Sequence, residues 1–156
     1  MLSKWLRPAP IIHPTLGTLE WRSGAWEGHV QIPGHAATVR ISGARGGPTP
    51  EAAAAVEAMI SGFPGVVSEL ERHLHDHYEP YRDAFDSGRY ADFEGSFPRI
   101  ASGDAAWSYV SEVCVSAWAE GKPGQLQVEL NVPWDPEHTL GAVFQGARLV
   151  EFSGSV

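Results

Sequence analysis

The feature that most constrains the fold is a long apolar stripe at helical spacing, flanked on both sides by strand-like patterns. From Val56 to Phe85, large apolar residues recur every three or four positions, which is the period of a helix with one buried face. The stripe stays in phase past Pro64 and Pro80. We therefore predict one long helical segment at 49–86, bent or interrupted near each proline.

Both flanking blocks alternate apolar and polar residues, as a strand with one buried face does. Turns divide the first block, 14–42, into three strands. After a loop at 87–101, the second block, 102–156, begins with a short helix and continues as about four strands. We predict an α+β fold in which an antiparallel sheet is covered on one face by the long helix. The chain, 1–156, should form a single domain with an N-terminal extension at 1–13.

The net charge of −8 is concentrated in the middle of the chain, where residues 51–95 carry ten acidic and three basic side chains. Such a surface repels phosphate groups, so no nucleic-acid partner is expected, and it favours a protein partner with a basic surface. The alternative is a solvated helix face whose charge only keeps the protein soluble. The acidic candidates for partner contact on the helix are Glu69, Asp76, Glu79 and Asp83.

The sequence favours a cytoplasmic protein without a membrane partner. No segment has the roughly 18 consecutive apolar residues of a membrane-spanning helix, and the N-terminus lacks the long apolar core of a secretory signal peptide. Cys114 is the sole cysteine, which excludes an intramolecular disulfide and suits a reducing compartment. It lies in an apolar strand-like run, where a small buried side chain is a simpler interpretation than a nucleophile.

The sequence carries few recognisable catalytic patterns. The glycine-rich segment 43–48 lacks the lysine and hydroxyl of a phosphate-binding loop, and no nucleophile elbow occurs. His73 and His77 lie one helical turn apart and are the metal candidates, although Leu74 stands where the helical metalloprotease pattern needs a glutamate. The simpler interpretation is the polar flank of an amphipathic helix, where both side chains can form hydrogen bonds or titrate. We predict no catalytic residue and no cofactor.

A tryptophan and an acidic turn precede a strand in residues 132–151, which begin Val-Pro-Trp-Asp-Pro-Glu-His-Thr-Leu-Gly. This segment resembles the C-terminal hairpin of small uncharacterised bacterial domains, and Pro14–Trp21 with Trp26–Gly28 resembles their N-terminal hairpin. One departure is Thr139, where those domains often carry glycine. Some similar small acidic proteins occur as immunity proteins beside bacterial toxins. The resemblance therefore implies an immunity protein.

Our leading hypothesis is a non-enzymatic binding protein that neutralises a toxin with a basic surface by stoichiometric contact. The first predicted contact is Trp134 with Asp135, Glu137 and His138. The alternative for Trp134 is a core position, because it shares a strand face with the apolar residues of 126–132.

Two rival functions remain open. One is a small metal-dependent hydrolase that uses His73 and His77. The other is a structural module whose exposed aromatic side chains drive homo-oligomerisation.

Overall fold

The computed structural model describes residues 7–118 and 121–156, so the first six residues of the predicted N-terminal extension lie outside the described chain. The helices are α1 (Pro50–Asp86) and α2 (Gly103–Ser108). The strands are β1 (Ile11–His13), β2 (Gly17–Arg22), β3 (Ala25–Ile32), β4 (His35–Ala44), β5 (Gly47–Pro48), β6 (Glu112–Ala117), β7 (Gln125–Val132), β8 (Asp135–Gln145) and β9 (Arg148–Ser153).

The strands form one sheet in the order β1-β2-β3-β4-β6-β7-β8-β9, and β5 pairs with β4 off this path. All neighbours are antiparallel except β4 and β6, which are parallel. Both helices lie between these two strands in the chain, and a parallel neighbour requires such a long crossover. The predicted α+β fold is confirmed. β1 lies inside the segment predicted as an extension, and neither the short β5 nor the parallel pair was predicted.

The helix α1 runs without a break through Pro64 and Pro80. Both prolines are exposed. A proline removes one helical N–H, and the carbonyl that loses its partner on the outer side can bond water instead. The opposite side of α1 buries its largest apolar residues against the sheet: Val56, Met59, Phe63, Leu70, Leu74 and Tyr78.

By length and composition α1 also passes as a candidate membrane span, with a mean hydropathy of 1.2 over an 18-residue window. This signal is weak, because the core helix of a soluble protein gives it too. The buried apolar side of α1 is what such a core helix requires. The cytoplasmic location stays a prediction.

The segment after α1 has no regular secondary structure, but aromatic side chains attach it to the core. Phe97 stacks on Phe85 at a centroid distance of 4.5 Å and contacts Phe93 at 5.1 Å. The hydroxyl of Tyr78 donates to the carbonyl of Pro98 at 2.9 Å. These contacts place the segment beside the C-terminal end of α1.

The opposite face of the sheet, here called the uncovered face, carries no helix of the described chain. Its residues are the polar members of each alternating strand, such as Thr38 on β4 and Glu129 on β7. The C-terminal Val156 lies near the edge of this face, with its amide donating to the carbonyl of Thr139 at 3.0 Å. A Cβ added to Gly141 would meet the Val156 side chain, so the tail passes directly over this glycine.

Candidate functional site

A depression with a volume of about 420 Å³ lies on the uncovered face, across the middle of the sheet. Strand register explains it, because Thr38 pairs with Cys114, Cys114 with Glu129, and Glu129 with Gly141. Three members of this row, Thr38, Cys114 and Gly141, have short side chains or none, which leaves the floor low. The depression is lined by Ala36, Thr38, Ser111, Glu112, Val113, Cys114, Glu129, Asn131 and Thr139.

A second depression of about 350 Å³ adjoins the first and reaches the start of β8. The two share Ser111, Glu112, Asn131 and Thr139, so they form one continuous feature, which we call the polar groove. The second part adds Val132, Pro133, Asp135, Pro136, Glu137 and His138.

Four carboxylates line the polar groove, and its lining contains no lysine or arginine of the described residues. The side-chain amide of Asn131 makes two hydrogen bonds in the groove. Its nitrogen donates to the Glu112 carboxylate at 2.8 Å, and its oxygen accepts from the Thr139 hydroxyl at 2.9 Å. Within the described chain, Glu129 has neither an ion-pair partner nor a side-chain hydrogen bond. Burial raises the pKa of the Cys114 thiol, so this neighbour stays neutral near pH 7.

Arg40 lies on the same face, beside the groove, and forms an ion pair with Glu27. The guanidinium Nε of Arg40 is 3.1 Å from a carboxylate oxygen of Glu27. The guanidinium also sits over the ring of Trp118, at 5.8 Å from the centroid. Arg40 therefore pairs with Glu27 and also acts electrostatically on the Cys114 thiol at the floor of the groove.

At the end of the groove, the carboxylate of Asp135 is buried and fully engaged. It accepts a hydrogen bond from the Tyr81 hydroxyl at 2.6 Å, and its other oxygen lies 2.8 Å from Nδ1 of His138. Burial and the bond to Asp135 raise the pKa of Tyr81, so the phenol remains a donor. Asp135 thereby ties α1 to the start of β8 and orients the exposed imidazole of His138.

His77 completes this cluster from the helix side. Trp134 Nε1 donates to His77 Nδ1 at 3.0 Å, and His77 Nε2 lies 3.6 Å from a carboxylate oxygen of Asp135. Because Nδ1 accepts, the neutral ring carries its proton on Nε2. Burial lowers the pKa of His77, while Asp135 acts in the opposite direction.

The structure corrects half of the contact predicted at the start of β8. Trp134 is 0% exposed and Asp135 is 2% exposed, so neither side chain can meet a partner. The register shift between Leu130 and Val132 lets both residues turn toward the core. Trp134 takes the core position that strand alternation had left open. Glu137 and His138 are exposed at the rim of the groove.

The four predicted acidic residues on α1 lie on or near its outer face, but arginines accompany them. Arg72 is 3.8 Å from Glu69 and 3.9 Å from Asp76. Arg82 is 3.9 Å from Glu79 and 2.9 Å from Asp83. Four carboxylates and two guanidinium groups leave a local charge of −2 on this surface, which we call the outer helix face.

The structure does not gather the predicted metal candidates around a common site. His73 stacks on Phe152 at a centroid distance of 5.1 Å, and His77 bonds to Trp134. Within the described residues, the group that brings three possible ligand atoms within 4.8 Å of one another is His75, Asp76 and Glu79, on the outer helix face. Two of its members already approach Arg72 and Arg82.

Sequence reasoning missed the groove residues Glu112, Glu129 and Asn131. The sequence did contain a pattern that points to two of them, because Glu129 and Asn131 occupy the polar positions of an alternating strand. Which strand lies beside them depends on the fold, and the neighbour is β6, which supplies Glu112.

Comparison with known proteins agrees with the general resemblance. The family model described as "Domain of unknown function (DUF6985)" matches residues 15–155, so the chain belongs to this family. No curated protein matches the chain, and neither does a solved structure.

Proposed function

We propose that this member of the DUF6985 family is a non-enzymatic binding protein, of the kind that neutralises a bacterial toxin by stoichiometric contact. The observation that carries the proposal is the polar groove, a continuous depression lined by carboxylates on a face that no helix of the described chain covers. The resemblance to immunity-type proteins supports the toxin as the class of partner.

The charge of the groove supports a basic partner surface. Glu112, Glu129 and Glu137 contribute three carboxylates, no lysine or arginine of the described chain lines the groove, and Arg40 beside it is paired with Glu27. A field of one sign in a concave surface attracts the opposite charge and speeds encounter. Matching polar groups then give specificity rather than only affinity.

The positions of Glu137 and His138 also support contact at the groove. Both are exposed, and His138 is held in one orientation by the buried Asp135. A side chain that is already oriented loses less conformational freedom when a partner binds. The rim at the start of β8 is therefore preorganised for a contact.

The proposal is tested with the product of the neighbouring reading frame, purified separately. We expect a 1:1 complex in light scattering coupled to size exclusion, measurable heat of binding, and relief of growth inhibition when both proteins are co-expressed. A toxin of similar net charge from an unrelated locus serves as the control and should not be neutralised. Lack of a complex together with lack of protection would contradict the proposal.

The same light scattering addresses the rival of homo-oligomerisation. The large exposed apolar side chains include Tyr109, Trp118 and Val150, which lie after α2, after β6 and within β9, respectively. Single exposed apolar residues are ordinary on a protein surface. We expect a monomer across concentrations, whereas a rising mass without a partner would favour the structural module.

A further inference from the structure

We propose that His77 acts as a pH-sensitive switch, whose protonation breaks the bond to Trp134 and reorients the rim of the polar groove at the start of β8. The switch depends on how the rim is held and not on which molecule the groove binds. It follows from three features, which are a buried donor and acceptor pair, a carboxylate that attracts the charged ring, and a direct chain connection to the rim.

The bond between Trp134 and His77 exists only while the imidazole is neutral. Trp134 Nε1 can only donate, and it lies 3.0 Å from His77 Nδ1. A second proton on the ring occupies Nδ1, because the neutral ring already carries one on Nε2. Two N–H donors then face each other across this distance. The indole is 0% exposed and the imidazole side chain is 15% exposed, so the indole loses its acceptor in a place that water hardly reaches.

The groups that face His77 favour movement of the charged ring. The Asp135 carboxylate on β8 lies 3.6 Å from Nε2 and attracts the imidazolium. Burial lowers the pKa of His77, and His138 acts in the same direction, so the switch operates below the ordinary histidine value of about 6.5. The Tyr81 ring lies at a centroid distance of 5.1 Å, and burial raises the pKa of its hydroxyl, which stays neutral. After β9, the backbone at Gly154 passes over Nε2 and adds no charge.

The indole that loses its bond belongs to the residue at which the rim begins. Asp135 follows directly and orients His138, and Glu137 and His138 line the groove. The carbonyl of Trp134 is held separately, by the Tyr90 hydroxyl at 3.1 Å. Loss of the indole bond therefore changes the orientation of the rim without detaching the segment from the core.

Hydrogen exchange at the indole N–H groups measures the switch in the wild-type protein between pH 7.5 and 4.5. Trp26 is the internal control, because its buried indole donates at 2.8 Å to the carbonyl of Ala44, which does not titrate. After correction for the intrinsic rate, protection of the Trp134 indole should fall at least about tenfold in acid, as expected for one lost hydrogen bond, while Trp26 keeps its protection. Equal losses at both indoles, or constant protection at Trp134, would overturn the proposal.

The ring nitrogens of His77 report the same event in long-range ¹H–¹⁵N spectra. We expect an unprotonated Nδ1 at pH 7.5 and two protonated nitrogens in acid. The backbone amides of residues 135–138 should shift with the same midpoint, because the rim responds to this ring. A ring that carries its proton on Nδ1 at pH 7.5, or rim amides that shift with a different midpoint, would overturn the proposal.

Variants on α1 separate His77 from other titrating groups. His77→Gln keeps a carbonyl acceptor for the indole, so exchange at Trp134 and the rim amides should no longer respond to pH. His73→Gln, one turn earlier, removes a ring that stacks on Phe152 and should keep the wild-type response. An unchanged response in His77→Gln would overturn the proposal. If that variant does not fold, the comparison of the two indoles in the wild type decides.

Discussion

The outer helix face and the polar groove both carry several carboxylates, yet they differ in how those charges are balanced. On the helix, each of the four predicted acidic residues lies within 4 Å of an arginine, either Arg72 or Arg82. In the groove, Glu129 has no such partner within the described chain, and Glu112 is bonded only by an amide. A count of charges along a sequence therefore locates an acidic segment, but it does not show which of its carboxylates are paired with arginines in the fold.

The groove also differs from the helix in how it is attached to the core. The helix residues project from a single element, whereas the groove rim depends on Trp134 and Asp135 at the start of β8. We therefore expect different effects from variants at Trp134 and Asp135, at His77 and at the helix arginines.

Replacing Trp134 with alanine should give the largest effect, a loss of about 3–5 kcal/mol in the free energy of unfolding. The indole is 0% exposed, donates to His77 and packs edge-on against Tyr78 at a centroid distance of 5.4 Å. Chemical denaturation measures the loss. Trp118→Ala, at a side chain that is 46% exposed, is the control and should cost less than about 1 kcal/mol. Similar stability in the two variants would mean that Trp134 is not a core residue.

Asp135→Asn should have the next largest effect, about 1–3 kcal/mol, because an amide cannot accept from both Tyr81 and His138 as the carboxylate does. Equilibrium unfolding at pH 7 measures it. Glu137→Gln, two residues away at an exposed position, should leave stability nearly unchanged. If Asp135→Asn is equally harmless, the buried carboxylate does not hold the groove rim.

Acid should destabilise the protein through His77. The folded pKa of His77 is lowered, so below the ordinary histidine value of about 6.5 the unfolded chain binds more protons than the folded one. This contribution to stability is therefore fully present above pH 6.5, begins to fall below that value, and is lost as the pH falls through the lower pKa of the folded state. Protonated Nδ1 also cannot accept from Trp134.

The measurement is the free energy of unfolding of wild type and His77→Gln between pH 7.5 and 5. A glutamine carbonyl can still accept from the indole, so the variant should depend less on pH than the wild type. Parallel curves for the two proteins would show that another group causes the acid sensitivity.

The smallest effect is expected on the outer helix face. Arg72→Ala/Arg82→Ala removes four exposed ion pairs and should change stability by less than about 1 kcal/mol. The helix becomes more acidic in this variant. If toxin affinity rises markedly in calorimetry, the helix is the contact surface and the comparison with the groove fails.

The fold was largely predictable because its local patterns agree. The helical stripe from Val56 to Phe85 matches α1, and alternation in 126–134 assigned Trp134 to the buried side. β1 and β5 were missed because strands of three and two residues carry little periodicity. The parallel pairing of β4 with β6 joins segments separated by both helices, so no local pattern reports it.

The candidate site was only partly predictable. The arginine spacing on α1 could have been read directly, because Arg72 lies three residues after Glu69 and four before Asp76. By contrast, the bond from Trp134 to His77 joins residues 57 positions apart. The groove likewise exists only when β6 lies beside β7 and brings Glu112 next to Asn131.

The most direct test compares paired charge variants in calorimetric titration against the toxin. Glu112→Gln/Glu129→Gln should weaken binding at least about tenfold, because a desolvated charge pair loses its acceptor. Glu69→Gln/Glu79→Gln removes the same charge from the outer helix face and should weaken it less than about twofold. A larger loss in the helix variant, or equal losses in both, would contradict the assignment of partner binding to the polar groove.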